Sequence, residues 1–286
     1  MTAAPAQAQA VRLTTGMTPA VVAQLETDFG RREAVDGVLH NQVLLDALDR
    51  GDGQRFMVWP DDRPRAVLFM SASGTLVPAG DPAAGPAFAV AAERAGWRVM
   101  VGDGPICEAL LDAYPRGLFR RRPSGREQRF LATSGPPPEV PAPDGFRRAT
   151  YEDVPVLTEY ACALHVEDLM GPPLSRSTRP AVRARMADGV AQGLTYVVER
   201  HGTVVAKYDL SLHNRRRGAQ IAGVYVHPDY RGQGISAAAV AAVVRDVLAE
   251  GLPGVTLHVR ADNAPAIAAY RRAGLTDRGA WTLAIR

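Results

Sequence analysis

Residues 224–275 constrain the fold more than any other part of the chain. An apolar, β-branched stretch ending at Val226 runs into Arg231-Gly232-Gln233-Gly234-Ile235-Ser236. A helical pattern follows over 236–250, with Val240, Val243, Val244, Val247 and Leu248 on one face. A second strand pattern at 255–259 and a short helical pattern at 264–273 complete the stretch. Glycines in the turn permit positive φ and leave no Cβ between the main chain and a ligand. Successive N–H groups can then converge on one anion. The first N–H groups of the helix behind lack intrahelical acceptors and point the same way. A glycine turn alone serves equally as a hairpin or a helix cap, so the order of elements around it carries the argument.

That order, together with Asn263, Tyr270 seven residues later and the Gly274-Leu275 step, resembles the GNAT acyltransferase superfamily. The family has a Q/R-x-x-G-x-G/A turn after its fourth strand, and Arg231 and Gly234 match it. Ser236 stands where the family usually has Gly or Ala; serine is small, and its hydroxyl can cap a helix or donate to a phosphate.

The resemblance extends over a whole domain. Behind a Pro-rich segment at 134–144, which reads as a semi-rigid linker, come a strand at 145–150 and helices at 152–170 and 179–191. Strands at 195–199, 203–212 and 220–226 precede the glycine turn, and a strand at 278–285 closes the order. Residues 145–286 are therefore expected to form a GNAT domain, an α/β (α+β) fold with a mixed, mostly antiparallel sheet flanked by helices.

Residues 11–133 are less transparent. Helices are expected at 18–29, 37–48, 85–95 and 105–113, and strands at 55–59, 66–71, 98–101 and 129–132. The order loosely copies the second half, and the Leu76-Val77-Pro78 step with the 98–105 and 128–132 segments resembles two-lobed bacterial GNAT proteins. No segment here equals the 231–236 turn; Gly102-Asp103-Gly104-Pro105 is short, and Asp103 would repel a phosphate. A degenerate GNAT-like lobe is expected. Residues 1–10 read as a disordered tail.

Composition narrows the function classes. The net charge of +3 is too small to argue for nucleic acid. The positive charge is almost all arginine, Lys207 being the only lysine. Cys107 and Cys162 have no metal or disulfide spacing, so no metal is expected. No apolar run is long enough to span a membrane, and the start lacks a signal-peptide pattern. A cytoplasmic bacterial enzyme is expected, with no nucleic-acid or membrane partner. Oligomeric state is open, a homodimer included.

The resemblance implies acetyl-CoA as co-substrate. Its pyrophosphate would sit on the N–H groups of Arg231, Gly232, Gln233, Gly234, Ile235 and Ser236. Its pantetheine arm would pair with the backbone of Val224 to Val226 as an added strand. An N–H near Val226 would polarise the thioester carbonyl, and Asn263 would bind the arm from the facing helix. Tyr270, two helical turns past Asn263, shares its face. It would protonate the departing thiolate as a general acid; without the family pattern it reads as a half-buried aromatic. The acceptor would be the amine of a small molecule or peptide N-terminus.

Glu167 and Asp168 are the carboxylates available as a base; from the residues alone the pair reads first as a solvated helix end. Lys207 and Asp209 share one strand face, turned to the cleft or paired within the sheet. His227 and Tyr225 read as structural. Two other functions fit the same residues. One is a mycothiol-synthase-like role, with two GNAT lobes of which one is inert. The other is an acyl-CoA-binding protein without catalysis.

Overall fold

The computed structural model describes residues 9–60, 63–115, 123–136, 139–168, 170–171 and 173–286. The expectation of a disordered tail at 1–10 therefore lies largely outside the described residues. The chain divides into two units, one of residues 1–129 with 279–286 and the other of residues 130–278.

The first unit contains β1 (Val11–Arg12), α1 (Thr18–Glu26), α2 (Ala34–His40), α3 (Gln42–Asp49), β2 (Phe56–Trp59), β3 (Ala66–Met70), β4 (Thr75–Gly80), α4 (Gly85–Arg94), β5 (Val99–Asp103) and α5 (Gly104–Ala113). β6 (Ser124–Thr133) begins in this unit and ends in the other. β2, β3 and β4 pair antiparallel, and β5 joins β4 in parallel through Thr75↔Val99 and Leu76↔Met100. One apolar cluster joins α1 and α3 to Phe56, Val58, Val67 and Phe69. Another joins α4 and α5 to Leu68, Leu76 and Met100.

β4 was absent from the sequence expectation, and it contains Pro78, a residue that cannot donate to a ladder. It is tolerated where pairing with β5 has already ended, at Leu76. The single helix expected at 37–48 is two, broken at Asn41. The buried Asn41 amide donates to Leu25 O at 3.0 Å and to Asp28 Oδ1 at 3.2 Å, tertiary bonds that no local pattern announces.

The second unit follows with β7 (Phe146–Arg148), α6 (Val154–Glu167), α7 (Arg179–Ala191), β8 (Thr195–Arg200), β9 (Thr203–Asn214), β10 (Gly218–Val226), α8 (Ile235–Ala249), β11 (Val255–Arg260) and α9 (Ala264–Arg272). β12 (Leu275–Ile285) closes the chain. β7 to β10 form an antiparallel ladder, and β11 joins β10 in parallel. α8 and α9 cover one face through Ile235, Val240, Val243, Val244, Val247 and Tyr270. α6 and α7 cover the other through Leu157, Tyr160, Val182 and Met186. Burying a side chain of this size contributes roughly 1.5–3 kcal/mol. A capping box of Thr150 and Asp153 marks the approach to α6.

The closing strand differs from the expectation of a C-terminal domain spanning 145–286. Trp281 to Ile285 pair antiparallel with Asp103 to Val99, so residues 279–286 belong to the first unit. Conversely, residues 130–133 belong to the second, where the Thr133 hydroxyl accepts from the Val255 N–H at 3.1 Å.

Candidate active site in the C-terminal unit

The parallel pairing of β10 with β11 stops after Ala219↔Val255 and Gln220↔Thr256, although β10 continues to Val226. Beyond Gln220 one edge of β10 is without its neighbour. The His227 N–H donates to Val205 O on β9 at 2.9 Å. Strand alternation therefore turns the N–H and C=O of Val226 to the opposite, unpaired edge. Val224 and Val226 pack their side chains against the α8–α9 core. Tyr225 points the other way, 4.7 Å from the Tyr160 ring, as a core residue.

The turn after β10 begins as a short 3-10 helix, Pro228–Tyr230, whose N-cap His227 accepts from the Asp229 N–H at 3.4 Å. The His227 ring thus takes part in the turn itself. Gly232 and Gly234 take φ of +76° and +77°, and Gly234 is the N-cap of α8. The first intrahelical bond of α8 runs from Ala238 N to Gly234 O. Main-chain N–H groups from Gly232 to Ser236 have no main-chain acceptor at the helix start. The Arg231 N–H is not among them, since it donates to Pro228 O at 3.2 Å. This corrects the expectation that six amides from Arg231 to Ser236 share the role.

Arg231 acts through its side chain. Its Nε donates to Val226 O at 2.9 Å, and its Nη2 lies between the two Glu167 oxygens, at 2.9 and 3.0 Å. Its guanidinium also lies over the Tyr225 ring, 5.6 Å from the centroid. Arg260 donates to the Glu167 carbonyl at 2.8 Å while gripping Asp262, and so completes the C-terminus of α6. The Gln233 side chain turns back to Asp229 O at 3.3 Å. Ile235 is buried in the core.

Of the two candidate bases, Glu167 has both oxygens engaged. Asp168 is the C-cap of α6. Burial pushes its carboxyl above the usual range, Arg260 opposes this, Glu167 adds to it and Lys207 opposes it. Tyr270 is 6% exposed, and burial pushes its hydroxyl far up, with further contributions from Tyr208 and Asp168. A phenol so placed keeps its proton throughout the neutral range, as a general acid requires. Asn263 is the N-cap of α9, its Oδ1 accepting from the Ala266 N–H at 3.2 Å. Its amide N–H groups and the second lone pair of Oδ1 remain for a ligand.

Sequence reasoning missed three features. Arg260 carried no signal. His258, two positions from it on β11, is pulled down to about 4 by burial and is a weak base at neutral pH. The third is a bulge in β10 between Ala222 and Tyr225, with Gly223 at φ +64°. An isolated glycine inside a strand pattern was the available clue. Lys207, left open between cleft and sheet, reaches this bulge: its ammonium binds the Gly223 carbonyl at 2.8 Å and the Asp209 carboxylate.

A strand edge stripped of its partner and main-chain amides without main-chain acceptors at the start of the following helix suit a thioester-bearing nucleotide. Residues 163–275 match the family model described as "Acetyltransferase (GNAT) family". A mycothiol acetyltransferase of Clavibacter michiganensis is 32% identical over 198 residues, covering 66% of this chain and 62% of that protein. The mycothiol acetyltransferase of Thermobispora bispora is 29% identical over 299 residues, covering 96% of each chain. The solved GCN5-related N-acetyltransferase of Sphaerobacter thermophilus superposes with a TM-score of 0.60 at 19% identity, covering 99% of this chain and 96% of that one. This last similarity shows the fold. These similarities support a GNAT superfamily protein with a further N-terminal lobe. It spans about three fifths of the length of the Clavibacter relative it matches. Among the described residues no helix is long and apolar enough to cross a membrane, and no His, Cys, Asp and Glu side chains group as a metal site.

Proposed function

We propose that this protein is a bacterial, cytoplasmic N-acetyltransferase that takes acetyl-CoA as co-substrate and acetylates an amine by direct attack. The unpaired edge of β10 opening onto the Gly232–Ser236 amides carries this reading. The diphosphate would lie on those amides, and the pantetheine arm along β10. The Val226 carbonyl is held by Arg231, so the arm would use the Val226 N–H and the Val224 backbone first. The Val226 N–H, facing the unpaired edge, would stabilise the oxyanion. Asp168 would take one proton of the incoming ammonium, Tyr270 would give its own to the CoA thiolate as the C–S bond breaks, and the phenoxide would be reprotonated by the proton that the adduct nitrogen loses.

The N-terminal lobe repeats the same plan without the anion site. After β4 comes a short 3-10 helix whose N-cap Asp81 accepts from the Ala83 N–H at 2.9 Å. Pro82 and Pro86 remove two further N–H groups. The lobe thus supplies its own carboxylate where the other lobe would take a phosphate, and binding of one acetyl-CoA per chain is expected. The topological counterpart of the 231–236 turn is therefore residues 80–86, not 102–105.

A narrower reading, acetylation in mycothiol chemistry, is favoured by the relatives named mycothiol acetyltransferase. The assay is CoA thiol release with a panel of small amines, peptide N-termini and mycothiol lacking its acetyl group. Turnover restricted to the last selects the narrower reading. Calorimetric binding of acetyl-CoA without turnover on any amine supports an acyl-CoA-binding protein instead. Absence of binding by well-folded protein removes both.

A further inference from the structure

The chain's one lysine lies at the floor of the α6 face of the second unit, 1% exposed. Lysine is almost never buried unless paired. Lys207 is paired twice, to the Asp209 carboxylate and to the Gly223 carbonyl at 2.8 Å. Asp209 is held in turn by the Thr195 hydroxyl at 3.1 Å. A Cβ on Gly223 would come within 2.5 Å of Asp209 Oδ2 and 3.1 Å of Lys207 Nζ, so the bulge is closed tightly over this pair. The same bulge precedes Val224 and Val226, the backbone proposed to face the thioester. A buried salt bridge is weak evidence for stability; its bonding to an irregular carbonyl at a site edge calls for another role.

We propose that Lys207 is a positioning residue for acyl transfer: its ammonium pins the β10 bulge beside the thioester and keeps positive charge next to Asp168. The inference rests on the acetyltransferase reading and adds to it a residue outside the expected acid, base and cofactor contacts. The charged and titratable groups around Asp168 are Glu167 on its own helix, Arg260 on β11, Lys207 with its partner Asp209 on β9, and Tyr270 on α9. Lys207 and Arg260 are the two among them that favour its ionised form.

The test compares Lys207→Met and Lys207→Arg in the full chain. The Met variant should lose roughly tenfold to a hundredfold in kcat, as a misplaced reacting edge does, with acetyl-CoA affinity held. Its acidic limb should move up by about one unit. The Arg variant keeps the charge and should restore the limb while recovering kcat in part. A Met variant with the wild-type limb and kcat, or an Arg variant whose limb matches that of Met, overturns the proposal.

Should the Met variant fail to fold, wild-type protein labelled with 15N-lysine gives one side-chain ammonium resonance. It should shift across the acidic limb and cease to do so in Asp168→Asn. A resonance that ignores this titration overturns the proposal as well. This readout needs no acceptor, so it separates failure of the Lys207 role from failure of the acetyltransferase reading.

Discussion

Arg231 Nη2 sits 2.9 Å from one oxygen of Glu167 and 3.0 Å from the other, tying the turn before α8 to the last residue of α6. Both side chains are close to half exposed, at 46% and 41%. Such a pair contributes roughly 0–1 kcal/mol to stability. Its importance is in occupying Glu167, both of whose oxygens bind Arg231, so that Asp168 is the carboxylate proposed as the base. Glu167→Gln should therefore keep near wild-type kcat, whereas Asp168→Asn should lower it by about 10²–10⁴-fold. Steady-state kinetics on the two variants decide between the adjacent carboxylates.

The pH dependence follows from the same residue. A base works when ionised, and Asp168 is shifted upward, first by burial. The kcat/KM profile should fall as pH drops through that raised value and should lose this limb in Asp168→Asn. Tyr270 is also shifted upward by burial, so its donor form persists on the alkaline side of neutrality.

Replacing Tyr270 by Phe removes the proposed proton donor while keeping the ring that packs with Val243 and Leu275 in one core. Turnover should fall by about 10²-fold or more. Acetyl-CoA affinity, measured by calorimetry, should stay within about twofold, since the difference lies in the transition state. An unchanged kcat would remove the assigned role.

Gly234→Ala tests the Gly232–Ser236 amides. Open space surrounds the position where a Cβ would go, so the cost comes only from φ +77°. Strain of that kind amounts to about 1–3 kcal/mol. A modest loss of Tm with a large rise in the KM for acetyl-CoA is expected. Gly223→Ala combines positive φ with a collision against Lys207 and Asp209, and its Tm should fall further.

Asp153 offers a stability test away from the chemistry. Hydrogen bonds from Arg147 hold its carboxyl below the usual range, with a further one from the Thr150 N–H. A depressed folded-state value means the stabilisation is present above the unfolded value and is lost as pH falls through the folded one. Asp153→Asn should destabilise by about 1 kcal/mol at neutral pH, and the difference from wild type should vanish in acid. Thermal melts across pH measure both.

The second unit was legible because its elements are locally consistent. α7 begins at Arg179 and ends at Ala191, as the sequence pattern alone indicates, and the turn, helix and strand around Gly234 follow from glycine placement and apolar period. What escaped was set by distant partners. Asn41 breaks a helix by bonding Leu25 and Asp28, and Pro78 sits in a strand at a point where one neighbour has already departed. Within the site, the residue types were readable but not their use of each other. Nothing local says that Arg231 spends its amide on Pro228, or that Asn263 spends its oxygen on its own helix.

Trp281 to Ile285 flank β5, some 180 residues earlier in the sequence. Translation therefore exposes a finished first-lobe strand with one bare edge while the entire second lobe is being made. Until residues 281–285 have been made, that edge is open to pairing with other nascent chains, the hazard that bare sheet edges carry. A premature stop just before Gly279 would spare every residue proposed for chemistry and yet leave the opposite lobe unfinished.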